Sequence, residues 1–521
     1  MVVAACSVSP STSTPVSLTP TPTSEPTSLP TPAPLSPPYW PTQDWRASTP
    51  EQQGMDSAQL GEMLAYIQER GYPFHGVVIV RNGYLVLEAY VHPFRAGDRH
   101  HIASCTKSFT SALIGIAIEQ DYIDSVDHKL LDFFPGRTVA NVDTRKQAIT
   151  LEHLLTMSSG FSWLTRGPRE FSLSQLMESQ DWVQFVLDRP MKQEPGTVFN
   201  YDSGGSHLLS AIIWQTTNRQ PLDFAQENLF TPLGISDVLW PSDPTGINFG
   251  GAWLELTPRD MAKFGYLYLQ HGVWDGQSVV PAEWVETSTT SHIETDYMDY
   301  HYGYQWWVDP AGGYHARGHG GQYIFVVPEQ NMVVVFVGGF SDSNMETVPD
   351  ALLRTFIIPA AKSTGSLPAN PEQAALLESR LHTLANPEPK PVPPLPAIAQ
   401  NISGKTYMMQ ANSLGLEAFT LSFSEKPESQ ALLNVSYESG PIEVVIGLDD
   451  VYRFTSITEA AEYSPGFIAL KGSWVNSNTF NLYYMHQGYT GYYWFVFEEK
   501  GVKARFEEPW GAETVSGTLQ E

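Results

Sequence analysis

Apolar positions recur at helical spacing through Ser57–Arg70, which predicts an amphipathic helix near the start of the folded part of the chain. Residues 76–90 then change period. The apolar runs VVIV and YLVLEAYV flank Arg81-Asn82-Gly83, and an Asn-Gly pair supplies the two positive-φ residues of a tight hairpin. From 104 to 120 the pattern is helical again, with Phe109, Leu113, Ile114, Ile116 and Ala117 making a broad apolar face. Residues 121–290 read as mainly helical with irregular loops. Strand patterns return at 304–309, Gln322–Val327 and Met332–Gly338, and a last helix is expected near 348–358. Strands at both ends of a helical region predict an α+β domain whose antiparallel sheet is closed by distant segments.

Residues 364–400 read as a linker, with a helix-like stretch near 372–384 followed by a proline cluster. From 401 to 521 short strand-like runs alternate with turns, among them EAFTLSF, ALLNVSY, FIALKGSWV and YYWFVFEE. That spacing predicts a small antiparallel barrel or sandwich, whose aromatic residues pack a core or line a groove. Four segments result: a tether over 1–43, a domain over 44–363, the linker and an all-β domain.

A chain of 521 residues exceeds what a single core usually spans, so two folded domains fit its length. The formal charge of −27 would repel phosphate backbones and argues against nucleic acid as a partner. Two cysteines, Cys6 and Cys105, cannot supply a disulfide framework. Val3-Ala4-Ala5-Cys6 resembles the end of a bacterial lipoprotein signal, and residues 7–43 are rich in Ser, Thr and Pro, a composition suited to an extended tether. Lipidation of Cys6, membrane attachment through it and an extracytoplasmic, envelope-anchored or secreted location are therefore expected. The histidines form no HExxH or comparable pair, so neither metal nor other cofactor is expected.

The chemistry concentrates at Ser104 and Lys107. Three positions apart at the first turn of a helix, their side chains face the same way, so the amine can reach the hydroxyl. The helix N-terminus disfavours a positive charge and favours a developing negative one, which lowers the lysine pKa and helps hold an oxyanion. Ser-x-x-Lys occurs only here in the chain.

The runs HIASCTKSFTSALIGIAIEQDYI, ITLEHLLTMSSGF, PGTVFNYDSGGSHLLSAII and GHGGQYIFVVPEQNMVVVFV, in this order, resemble the serine β-lactamase-related family, over about residues 44–360. That family joins class C β-lactamases and penicillin-binding-protein-like hydrolases to D-stereospecific peptidases, esterases and 6-aminohexanoate-dimer hydrolases. The resemblance implies a β-lactamase/transpeptidase-like domain, an antiparallel sheet flanked by helices with a helical subdomain. It implies Ser104 as nucleophile, Lys107 as its base and Tyr201 as proton relay. It also implies His319, Gly320, Gly321 and Gln322 as the substrate strand, with the N–H groups of Ser104 and Gln322 forming the oxyanion hole.

Ser203 stands where β-lactamases usually carry asparagine, and His319 replaces the strand lysine that pairs with a β-lactam carboxylate. Strong β-lactamase activity is therefore not expected. Ser203, Trp163, Tyr304, Trp306 and Trp307 are the expected cleft residues. The leading expectation is a serine hydrolase acting through an acyl-enzyme on a small ester, linear amide or peptide. A D-amino-acid peptidase, carboxypeptidase or weak β-lactamase on cell-wall-type substrates, and a non-catalytic binding or sensor protein, are the alternatives.

Overall fold

A computed structural model describes residues 39–521 except 165–171, 341–346, 425–428, 438–439, 458–465, 487–488, 509–510 and 521. Cys6 and most of the expected tether lie outside the described residues.

Helix α1 (Ser57–Arg70) starts at Asp56, whose carboxylate accepts the Ala58 N–H, and stops at Gly71 in the left-handed region. The hairpin follows as β1 (Phe74–Arg81) and β2 (Tyr84–Tyr90), with Asn82 and Gly83 at φ of 53° and 81°. Helix α2 (Thr106–Glu119) crosses the domain, buried over nearly its whole length. Helices α3 (Ser203–Thr217) and α4 (Pro258–Leu269) complete the part used below.

The sheet is finished by β3 (Ile293–Glu294), β4 (His301–Tyr302), β5 (Trp307–Val308), β6 (Tyr314–Gly318), β7 (Gln322–Val327) and β8 (Met332–Gly338). Its order is β2-β1-β8-β7-β6-β5-β4-β3, antiparallel throughout. Val77 and Ile79 face one apolar cluster, with α1; Val78 and Val80 face another, with α2 and α4. A sheet covered on both faces needs apolar residues at every position, which explains the unbroken runs VVIV and MVVVFV.

One expectation changes. The strand expected over 304–309 shrinks to Trp307–Val308, because Gln305 takes a left-handed φ of 63°. Its side-chain amide donates to the Leu154 and Leu155 carbonyls and accepts from Ser206 Oγ, so it ties helices together instead of extending the sheet. Strand β6, which the sequence reading passed over, supplies the edge that reaches Ser104. The expected linker holds helix α5 (Pro371–Ala385), whose Leu377 and Leu384 are buried in the cluster beneath α1.

The C-terminal domain is a barrel. Its strands are β9 (Lys405–Met409), β10 (Leu416–Phe423), β11 (Gln430–Tyr437), β12 (Gly440–Gly447), β13 (Arg453–Ile457), β14 (Gly466–Trp474), β15 (Thr479–His486), β16 (Tyr489–Phe497), β17 (Gly501–Glu508) and β18 (Gly511–Leu519). The order is β12-β11-β10-β9-β18-β17-β16-β15-β14-β13, and a parallel contact of β12 with β14 at Ile446 and Leu470 closes a ring of nine, with β13 along the seam. Closure removes the free sheet edges. The barrel meets the first domain where Phe94 packs with Ala469, Met485 and Phe467, and where Thr490 Oγ1 donates to the Gly339 carbonyl at 2.8 Å.

Candidate active site

Ser104 sits on a 3-10 turn, Ala103–Cys105, that runs straight into α2. Ala103 has a φ of 47°, a left-handed conformation that costs a non-glycine residue about 1–2 kcal/mol. Two hydrogen bonds hold it there. The Ala103 N–H donates to His101 Nδ1 at 3.1 Å, and Thr106 Oγ1 donates to the Ala103 carbonyl at 2.6 Å. Accepting on Nδ1 places the neutral His101 proton on Nε2.

Lys107 lies one turn further on and is only 1% exposed. Its Nζ is 3.1 Å from Ser104 Oγ, 3.1 Å from Ser203 Oγ and 2.6 Å from the Gly251 carbonyl oxygen. The carbonyl can only accept, so it takes one amine hydrogen. Both hydroxyls can donate or accept, which lets a neutral amine give its second hydrogen to Ser203 and turn its lone pair on Ser104. Burial pushes the Lys107 amine down to about 7, against the opposing pull of Asp202 and Cys105. A serine hydroxyl thus faces a lysine that is partly neutral near physiological pH.

Asp202 supplies the counter-charge and builds the local helix. As N-cap of α3 it accepts the Gly205 N–H on Oδ1 at 2.9 Å, while Oδ2 is buried with no hydrogen-bond partner among the described residues. Burial raises its carboxyl to about 6, with the Gly205 and Gly204 N–H groups and Lys107 acting the other way. Tyr201, just before it, lays its ring 4.8 Å from Lys107 Nζ and stacks on Trp307 with centroids 6.0 Å apart.

The strand edge arrives at Gly318. A Cβ there would lie 2.4 Å from the Ile102 carbonyl oxygen and 3.0 Å from Ser104 N, so only glycine lets β6 pass this close to Ser104. His319, Gly320 and Gly321 form the turn from β6 to β7, with both glycines at positive φ, and His319 is close enough to His101 to oppose its protonation.

These positions correct part of the expected site. Gly318 is the strand residue that comes up to Ser104 N, which lies 3.0 Å from where a Cβ on it would stand. Gln322 lies across the hairpin, in register with Gly318, and stands behind: its carbonyl accepts the Cys105 thiol at 3.4 Å, and its amide donates to the Gly338 carbonyl at 2.6 Å. Trp163, Tyr304 and Trp306 are 3%, 3% and 0% exposed and wall no cleft. Trp163 packs under Gly204, Tyr304 donates to Glu152 Oε1 at 2.8 Å, and Trp306 stacks on Phe264, because large rings beside these helices gain more from burial than from solvent. Ser203 belongs to the Lys107 network. Missed by the sequence reading were Asp202, Gly251, His101 and Gly318; Asp202 was legible as an Asp before a Ser-Gly-Gly helix start, whereas nothing in the pattern marked Gly251.

The β-lactamase family model matches residues 51–356, and the chain belongs to the β-lactamase family. Over 294 residues it is 23% identical to a 6-aminohexanoate-dimer hydrolase of Paenarthrobacter ureafaciens, covering 51% of this chain and 72% of that protein. It is also 23% identical, over 217 residues, to an Escherichia coli protein provisionally named a D-alanyl-D-alanine carboxypeptidase, covering 37% of this chain and 50% of that one. A solved Bacillus anthracis structure, provisionally assigned as a 6-aminohexanoate-dimer hydrolase, superimposes with a TM-score of 0.53 at 22% identity, over 63% of this chain and 90% of its own. That likeness establishes the β-lactamase/transpeptidase fold of the first domain.

Proposed function

We propose that this chain is a serine hydrolase that cleaves a small ester, linear amide or peptide through an acyl-enzyme on Ser104. The observation that carries this reading is the buried Lys107 amine, 3.1 Å from Ser104 Oγ and lowered to about 7 by burial. Neutral Lys107 takes the Ser104 proton as Oγ attacks the carbonyl carbon. The tetrahedral oxyanion is held by the Ser104 N–H with a second N–H from the strand edge that begins at Gly318. Tyr201, packed against the Lys107 ammonium, passes the proton to the departing amine or alkoxide, and water then cleaves the acyl-serine by the reverse traffic. The Paenarthrobacter ureafaciens relative supports linear amides as substrates.

Intact-mass analysis of wild type, Ser104→Ala and Tyr201→Phe after mixing with p-nitrophenyl esters, an aminohexanoate dimer, D-Ala-D-Ala peptides and a cephalosporin tests it. A mass adduct or turnover that vanishes in Ser104→Ala is expected. Folded wild type that forms no adduct and turns over none of these compounds would support a binding or sensor role instead. Reaction with D-Ala-D-Ala peptides alone would favour the cell-wall peptidase. Envelope attachment through Cys6 is a separate proposal, checked by labelling with an alkyne palmitate in a bacterial host.

A further inference from the structure

Beside Ser104, the Lys107 amine meets the Ser203 hydroxyl and the Gly251 carbonyl. Ser203 is placed by α3, whose first residue it is. Gly251 belongs to the irregular segment 240–251, so the position of its carbonyl has to come from side-chain bonds. Along 248–251 each carbonyl accepts one. Ser210 Oγ donates to Asn248 at 2.7 Å, Trp240 Nε1 to Phe249 at 3.0 Å, Thr110 Oγ1 to Gly250 at 3.0 Å and Lys107 Nζ to Gly251 at 2.6 Å. The run lies against the backbone of α3. A Cβ on Gly250 would stand 2.4 Å from the Ser206 carbonyl oxygen, and one on Gly251 would stand 2.9 Å from that of Ser203.

The start of this run is tied to α3 by an imidazole and a carboxylate, both fully buried. His207 Nε2 donates to Asp243 Oδ2 at 3.0 Å, because a carboxylate can only accept. Asp243 Oδ1 accepts the N–H groups of Thr245 at 2.8 Å and Ile247 at 2.9 Å. One bond from α3 thus becomes the shape of the turn that leads to Gly251. His207 lies four residues after Ser203, on the same face of α3. Its ring packs between Trp182 and Phe249, with centroids 5.4 Å and 5.6 Å away, and its Nδ1 is buried with no hydrogen-bond partner among the described residues. Burying these two groups costs desolvation that apolar residues of the same size avoid, so the pair contributes more to geometry than to stability.

We propose that the His207–Asp243 pair is the anchor that holds the Gly251 carbonyl on Lys107, which makes both side chains positioning residues, resting on the reading of Lys107 as the base of a serine hydrolase. With Gly251 taking one amine hydrogen and Ser203 another, the lone pair of the neutral amine is turned on Ser104. Without the anchor the amine is aimed at Oγ less often, while no contact with substrate changes.

The test is p-nitrophenyl ester hydrolysis by the full chain beside hydrogen–deuterium exchange of the segment 240–251, which needs no turnover. His207→Leu should lower kcat at least about tenfold with KM within about twofold of wild type. His207→Gln, whose amide can donate to Asp243 from a similar place, should recover most of kcat. Where His207→Leu strands the Asp243 charge and does not fold, His207→Leu combined with Asp243→Asn removes that charge and should show the same loss. The amides of Thr245 and Ile247 should exchange at least about tenfold faster in the leucine variants. An active wild type whose leucine variants keep its kcat overturns the proposal and leaves the hydrolase reading standing. Unchanged exchange overturns it too, and so does a His207→Gln variant as impaired as His207→Leu, which would assign the loss to ring packing. A wild type that turns over no ester, with exchange still faster in the leucine variants, would remove the hydrolase reading and keep the anchor.

Discussion

Around Ser104 the interior is crowded with polar groups: an amine, a carboxylate, two hydroxyls and a carbonyl meet within hydrogen-bonding range or close electrostatic reach of one another. Inside the barrel the described pocket lining is Leu, Ile, Val, Phe and Tyr and carries no charge. Both regions are shielded from water, yet burial does different work in each. Near Ser104 it changes proton affinity, drawing Lys107 down to about 7 and Asp202 up to about 6. The described lining of the barrel pocket has no carboxylate, amine or imidazole, so burial there gains apolar packing. Removing water creates chemistry where ionisable groups are already in place, and packing where they are not.

Several changes would break or sharpen this contrast. Lys107→Met should have the largest effect, lowering kcat by about a thousandfold through loss of the base. Stopped-flow ester hydrolysis, with circular dichroism to check folding, measures it. Gly318→Ala follows, because its Cβ would press on the Ile102 carbonyl and Ser104 N. We expect a loss of about a hundredfold in kcat from misplacement of the Ser104 turn, with near-native circular dichroism.

The pH dependence is subtler. On the proposed route acylation requires neutral Lys107, so kcat/KM should rise with pH and reach half its plateau near 7. The Asp202 carboxylate favours the protonated amine, so Asp202→Asn should move this midpoint to lower pH, as a full pH–rate profile would show. A midpoint that stays in place or rises would remove Asp202 from the electrostatics. The smallest effect is expected where the regions meet. Thr490→Val deletes the hydrogen bond to the Gly339 carbonyl and should cost about 1 kcal/mol of stability, read by urea unfolding.

Much of this molecule was legible from residue order because local rules act locally. The Asn82-Gly83 turn, α1 with its Gly71 stop, and β7 and β8 follow from periodicity and turn chemistry, and the structure has them at the expected places. The spacing of Ser104 and Lys107 on one helix face is of the same kind. Less legible were features set by distant neighbours. Gln305 leaves the strand conformation because two helices offer its amide partners, and the buried Trp306 is indistinguishable in sequence from the adjacent Trp307, which backs Tyr201.

What the sequence determined by itself, then, was α1, the Asn82-Gly83 hairpin, β7, β8 and the spacing of Ser104 and Lys107 within one helical turn, since each depends on residues a few positions apart. Tertiary structure alone decided that Gly251 would receive the lysine, that Gly318 would come up to the Ser104 turn, and that the barrel would close where Ile446 meets Leu470. Those outcomes join segments separated by tens to hundreds of residues, and packing between such segments carries no periodic signature along the chain.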